Sequence, residues 1–215
     1  MSELRDRWAL VTGASSGIGA DFARELAQRG MHLVLVARRE ERLRALAEEL
    51  ERAHGVRTRV VAADLAKPDA PRALHEQLRG EGIAVDVLVN NAGFGVFGEC
   101  LDVPWERERQ MLELDVLALV HLTKLFAADM RARGFGRVLQ VASIGAFQPS
   151  PTYAAYSAAK AFVQSFGEAL ACELRGSGVT VTVVSPGVTE TEFFSVAGQQ
   201  RSLFQRLTIM PSAKV

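Results

Sequence analysis

Only two cysteines occur in 215 residues, and Cys100 and Cys172 have neither metal-ligand spacing nor the density of a disulfide framework. That scarcity excludes a zinc-knit or disulfide-stapled scaffold. It predicts no metal site and a reduced, cytoplasmic compartment, with both thiols in the core. An excess of charge of either sign is also missing. Lys plus Arg and Asp plus Glu number 25 each, so the uniform basic field needed for non-specific nucleic-acid or anionic-membrane binding is absent. No run reaches the ~18 apolar residues of a membrane span, and Met1 to Trp8 is charged, unlike a secretory leader. Neither a linker nor a repeat interrupts the chain. At 23.3 kDa, 48% apolar and 23% charged, it has the size and composition of one globular domain, residues 1–215.

Short apolar runs recur along the chain, at 8–12, 32–37, 57–62, 85–89, 136–142 and 179–184. Each is followed by a longer stretch of helical or polar character. The runs are rich in Val, Leu and Ala without in/out alternation, as expected of a parallel sheet covered by helices on both faces. Helices are predicted at 17–29, 40–54, 71–79, 105–133 and 153–176, with Gly30, Gly55, Gly134 and Gly178 as stop signals. The architecture reads as a doubly wound α/β domain. Residues 195–215 mix Phe204, Leu207 and Ile209 with polar residues, and read as a substrate lid or an incomplete C-terminal region.

Directly after the first strand comes Thr12-Gly13-Ala14-Ser15-Ser16-Gly17-Ile18-Gly19, opening into a helix. The free N–H groups and positive dipole end of that helix suit a pyrophosphate. Gly13 can make the turn, Gly17 can let the backbone approach phosphate, and Gly19 can bring helix and sheet close. The same residues spell G-x-S-x-G, the nucleophile elbow of another enzyme class, the α/β-hydrolases. A hydrolase needs an acid and then a histidine after its serine. His32, His54, His75 and His121 fall in predicted strands or helices, and none follows His121. That leaves the hydrolase without a base.

Further on, Asn90-Asn91-Ala92-Gly93 closes the fourth strand, Ser143 follows the fifth, Tyr156-Ser157-Ala158-Ala159-Lys160 lies on a helix, and Pro186-Gly187 follows the sixth. Together with Thr12 to Gly19, these motifs resemble the short-chain dehydrogenase/reductase family, in order and over essentially the whole chain. The resemblance implies a Rossmann-type fold of strand order 3-2-1-4-5-6, with a ligand crevice at the switch between strands one and four, and an oxidoreductase acting on a CH–OH group. Family members usually carry one further strand and helix beyond Val215, so a truncated C-terminus is expected.

Tyr156 and Lys160 are four residues apart, on one helix face. An ammonium ~4 Å from a phenol favours the phenolate by up to ~4 kcal/mol at an effective dielectric of ~20, which predicts a lowered Tyr156 pKa. The resemblance makes Tyr156 the general acid/base, Ser143 the group that polarises the carbonyl, and Lys160 both the electrostatic partner and a holder of the nicotinamide ribose. It also places Asp64-Leu65 at the adenine, Asn91 near the adenosine ribose, and Val188 and Thr191 at the nicotinamide carboxamide. Ser15, Ser16, Ile18, Gly93, Pro186 and Gly187 fall in the same cofactor loops. At the end of strand two, where NAD enzymes place a carboxylate for the ribose hydroxyls, the chain has Arg38-Arg39. Two guanidinium groups there favour NADP, whose 2′-phosphate they can bind.

Asp115 departs from the pattern, since the family usually has Asn at this point, holding a water that links the lysine to solvent. An ionised carboxylate cannot donate to that water, and its charge opposes the Tyr156 phenolate. Asp115 also motivates a competing reading, a weak or silent NADP-binding or sensing protein. Tyr153, two helical turns from Lys160, is assigned to the pocket wall. Phe94, Phe97, Phe147, Pro149, Phe193 and Phe194 lie in loops where such sheets bind ligands, which predicts an apolar or aromatic carbonyl substrate. Apolar residues on the long helices, Leu119, Leu122, Leu125, Phe126, Phe162 and Phe166, predict a homodimer or homotetramer.

Overall fold

A computed structural model describes residues 2–190, 192–199 and 210–215. Six strands form one wholly parallel sheet: β1 (Trp8–Thr12), β2 (His32–Ala37), β3 (Thr58–Ala62), β4 (Val85–Asn90), β5 (Gly136–Val141) and β6 (Val179–Val184). Their order is β3-β2-β1-β4-β5-β6, as expected from the resemblance. The central strands β1, β2 and β4 are almost wholly buried, which explains why their sequences are unbroken apolar runs.

Two helices, α1 (Gly17–Gln28) and α2 (Glu40–His54), cover one face through Ala23, Ala27, Leu43 and Leu50, packed on Ala9, Val11, Leu33 and Leu35. On the other face, α3 (Ala70–Gly80) and α5 (Leu119–Arg133) bury Leu74, Leu78, Leu122 and Phe126 against Leu10, Val34 and Leu88. Alongside them runs α6 (Ala154–Glu173), against β6. The small helix α7 (Phe193–Ala197) follows the sheet. A second, two-stranded parallel pairing joins β7 (Thr189–Glu190) to β8 (Met210–Pro211).

The single helix predicted over 105–133 is in fact three segments. After α4 (Trp105–Leu112), the backbone widens into a π-helical stretch, Glu113–Ala118, before α5 resumes. A π segment inserts an extra residue per turn and re-aims the side chains around it. Here it carries Asp115, which has no exposed surface. The cysteines also differ from expectation: Cys100 and Cys172 are both exposed, because Cys100 lies in the irregular segment before α4 and Cys172 on the outer side of α6. Among the described residues no helix is long and apolar enough to cross a membrane, and no His/Cys/Asp/Glu group could hold a metal.

Candidate active site

β1 runs on one side to β2 and on the other sits beside β4, so the chain leaves their carboxyl ends in opposite directions and a crevice opens between them. Thr12 fixes its floor. Its hydroxyl accepts the N–H groups of Asn91 and Ala92, both at 2.9 Å, and donates to Val89 O at 3.2 Å. The Asn91 amide donates to Thr12 O at 2.9 Å, so Asn91 ties the two strand ends together as well as lining the cleft. No sequence motif had singled out Thr12 for this role.

The glycine-rich loop from Gly13 to Gly19 passes over that floor. Gly13 has φ +69°, and a Cβ on Gly19 would sit 2.4 Å from the Gly13 carbonyl oxygen and 2.5 Å from the Asn91 side chain. Only glycine permits that approach. Ser16, at the N-cap of α1, makes no side-chain capping bond to the helix. Ser15, Ser16, Gly17 and Ile18 all line it.

The cleft holds about 490 Å³ and reaches from the end of β2 to α6. At one end Arg39 donates to Ser15 Oγ (3.0 Å) and Ser16 Oγ (2.7 Å), while Arg38 lines the rim. Arg39 and Arg42 also grip Glu192, at 2.7 and 2.9 Å; neither Arg42 nor Glu192 had stood out in the sequence. Asp64 and Leu65 form the wall beyond β3, with Asp64 Oδ1 accepting the Ala66 N–H at 3.2 Å. Pro186, Gly187 and Val188 line the opposite side, and Thr191 lies outside the described residues.

At the other end, α6 projects Tyr156 into the cleft and buries Lys160 beneath it, with Nζ 5.7 Å from the Tyr156 ring centroid. The ammonium donates to Val141 O at 3.2 Å and pairs with Asp115 Oδ2 at 3.0 Å. The other Asp115 oxygen accepts the Phe94 N–H at 3.0 Å. A Cβ on Gly93 would lie 2.7 Å from Asp115 Oδ2, so glycine is needed there for the carboxylate to reach the lysine. The resemblance had put this position at a water that links the lysine to solvent; in the structure the carboxylate pairs with the lysine itself. Ser143 lies two residues past β5, and its Oγ caps the turn Ile144–Ala146 by accepting the Gly145 N–H at 3.1 Å.

Electrostatics at this end differ from the expectation. Tyr156 is held above the ordinary phenol range, first by burial; the Lys160 charge lowers it, Asp115 raises it again, and the Ser143 hydroxyl lowers it. Proximity of Lys160 alone predicted the opposite sign, because neither burial nor an ion pair to the lysine enters that sum. Burial raises the Asp115 carboxyl, with Lys160 and the Phe94 N–H opposing it. Burial lowers Lys160, yet Asp115 and Tyr156 more than compensate, so its pKa is raised and it remains an ammonium.

Aromatic rings converge beside Tyr156. Phe193 lies 5.2 Å from it and Tyr153 5.8 Å, and Phe97 packs on Tyr153 at 5.5 Å. Tyr153 precedes α6 rather than belonging to it, which bends it into the pocket wall. Burial, with Tyr156 adding to it, pushes its phenol up to about 12, so Tyr153 holds its proton and donates to Gln199 Oε1 at 2.7 Å. Phe94 and Phe194 also line the cleft, but Phe147 (66% exposed) and Pro149 face solvent, because the turn after Ser143 carries them outward.

A family model described as short chain dehydrogenase matches residues 7–202. The 7beta-hydroxysteroid dehydrogenase of Collinsella aerofaciens is 36% identical over 195 residues, covering 89% of this chain and 72% of that protein. The mouse (Mus musculus) 17-beta-hydroxysteroid dehydrogenase type 3 is 35% identical over 182 residues, 84% of this chain but 59% of that protein. Among solved structures, a short-chain dehydrogenase from Sphingobium yanoikuyae in complex with NADPH superposes with a TM-score of 0.90 at 34% identity, covering 97% of this chain and 80% of that one.

Proposed function

Because the chain belongs to the short-chain dehydrogenase family, we propose that it catalyses reduction of a bulky apolar or aromatic ketone at the expense of NADPH, and the reverse oxidation. One observation carries this reading: a single cleft joins an arginine- and serine-lined end at Arg39 to a Tyr156–Lys160 pair beside Ser143. The uncapped α1 N-terminus and the close-packed Gly19 turn fit a pyrophosphate, and the guanidinium group of Arg39 fits a 2′-phosphate. Asp64 and Leu65 would hold the adenine end, and Lys160, Tyr156 and Pro186 to Val188 the nicotinamide end. When bound, NADPH supplies the hydride that the carbonyl carbon accepts.

The rest falls to the chain's own side chains. Ser143 donates a hydrogen bond to the carbonyl oxygen, where negative charge develops. The Tyr156 O–H gives that oxygen its proton, and the Lys160 ammonium stabilises the phenolate left behind. Asp115 keeps Lys160 charged and in place. The raised Tyr156 pKa keeps the phenol in the protonated form that reduction uses. The apolar wall of Phe94, Tyr153 and Phe193, with the exposed Phe97 outside it on Tyr153, supports a large hydrophobic substrate, as does the similarity to hydroxysteroid dehydrogenases.

Purified protein with NADPH and a panel of aliphatic, aryl and steroid ketones tests this. Turnover is expected with the bulky members and NADPH, and more slowly with NADH. Tight NADPH binding without turnover of any ketone would replace it with the binding or sensing reading.

Assembly follows from what the helices leave uncovered. Leu119, Leu122 and Phe126 are core residues, but Leu117 is 63% and Phe162, stacked on Phe166, 44% exposed. A homodimer or homotetramer that covers these residues is proposed. Light scattering should then give at least twice 23.3 kDa, and Phe162→Glu should shift the particle toward the monomer mass. A monomer at micromolar concentration would count against it.

A further inference from the structure

The arginine end of the cleft already contains an anion supplied by the chain itself. Glu192 Oε2 accepts from Arg39 Nη1 at 2.7 Å and Oε1 from Arg42 Nη1 at 2.9 Å, across 153 and 150 residues of sequence. Arg39 also reaches Ser15 and Ser16 in the phosphate loop, so the carboxylate stands among the groups that fit a 2′-phosphate. NAD enzymes have a carboxylate in this region to accept the ribose hydroxyls, delivered from the end of the second strand. Here the second strand delivers arginines, and the carboxylate arrives from the far side of the cleft.

We propose that Glu192 is a resident competitor for the 2′-phosphate site, holding Arg39 and Arg42 until the phosphate displaces it, and thereby setting how strongly the protein prefers NADP(H) over NAD(H). The inference rests on the reading of Arg39 as the 2′-phosphate contact. Both ion pairs are roughly half exposed, with Glu192 at 42% and Arg42 at 51%, and pairs of that kind are weak enough to exchange. A phosphate monoester brings more charge and three acceptor oxygens, and so outcompetes a single carboxylate for the two guanidinium groups. The arginines hold the Glu192 carboxyl down at about 2, so it competes as a full anion throughout the physiological range.

Glu192 is also attached to the substrate wall. Its carbonyl accepts the Val196 N–H at 3.0 Å, starting α7, whose other end is held by Phe97 N–H to Ala197 O at 3.1 Å and Arg107 to Val196 O at 3.0 Å. Displacing the carboxylate would remove its two arginine contacts at the cofactor end of α7, while the contacts of Val196 and Ala197 at the substrate end stay in place. NAD(H), without the phosphate, leaves the pairs intact.

The test is fluorescence titration of NADPH, NADH and adenosine 2′,5′-bisphosphate against wild type, Glu192→Gln and Arg39→Ala, each checked for fold by circular dichroism. Glu192→Gln is expected to tighten NADPH and the bisphosphate by about five- to tenfold and to leave NADH within about twofold. Unchanged or weaker NADPH binding in Glu192→Gln would overturn the competitor role. Arg39→Ala separates the two levels: weaker NADPH binding with NADH unchanged upholds the arginine reading whatever Glu192 does, and no change in either overturns both.

Discussion

Replacing Tyr156 with Phe is expected to lower kcat for the proposed ketone reduction by at least ~10²-fold and to leave the NADPH dissociation constant within about threefold. General acid catalysis by a positioned side chain contributes ~10² to 10⁴ in rate, and Phe removes the proton while keeping the ring. The ring packs against Tyr153 and Phe193, so the aromatic wall keeps its shape. The phosphate-binding end is built from other elements, β1, α1 and the start of α2, which is why cofactor affinity holds. Tyr153, with a phenol at about 12 and its proton committed to Gln199, cannot substitute. Steady-state kinetics with a direct NADPH titration measures both quantities; undiminished kcat would remove Tyr156 from the mechanism.

Asp115 governs the second large effect. It is fully buried, and its partner Lys160 is 5% exposed. Truncating one member of such a pair strands the other charge, a loss of about 3–5 kcal/mol, which is the result expected for Asp115→Leu in urea unfolding. Asp115→Asn should lose less, since an amide oxygen can still accept the Phe94 N–H. Its main effect is on pH dependence. In the wild type, burial and the Asp115 charge both raise Tyr156. With Tyr156 as the proposed acid/base, alcohol oxidation would need the phenolate, and its rate is expected to climb as pH rises through that raised value. Removing the carboxylate charge lowers the value and moves the rising limb of the oxidation profile toward acid. Reduction, which uses the phenol, should then lose its alkaline activity at lower pH. Superimposable profiles for the two proteins would show that Asp115 acts on stability alone.

Much of the architecture could be read from local pattern. Unbroken apolar runs such as His32–Ala37 mark strands buried on both faces, and the glycines from Gly13 to Gly19 mark a turn too tight for side chains. The spacing of Tyr156 and Lys160 puts them on one helix face by geometry alone. The π segment at Glu113–Ala118 carries no such mark. Its residues, Glu-Leu-Asp-Val-Leu-Ala, are compatible with an ordinary helix, and packing against α6 and the Gly93 backbone accompanies the widening. The aromatic wall was over-read for a related reason: composition places a ring in a loop but does not say which way the loop turns, and Phe147 turns outward.

Periodicity, turn chemistry and helix spacing act over a few residues, so the sequence by itself determined the alternation of strand and helix, the tight glycine turn after β1 and the spacing of the tyrosine–lysine pair. Charge pairing and desolvation act through space between segments the chain brings together only on folding. Tertiary structure alone therefore decided that Asp115 grips Lys160 directly, that burial raises the tyrosine a nearby lysine was expected to lower, and that Glu192 reaches Arg39 from 153 positions away.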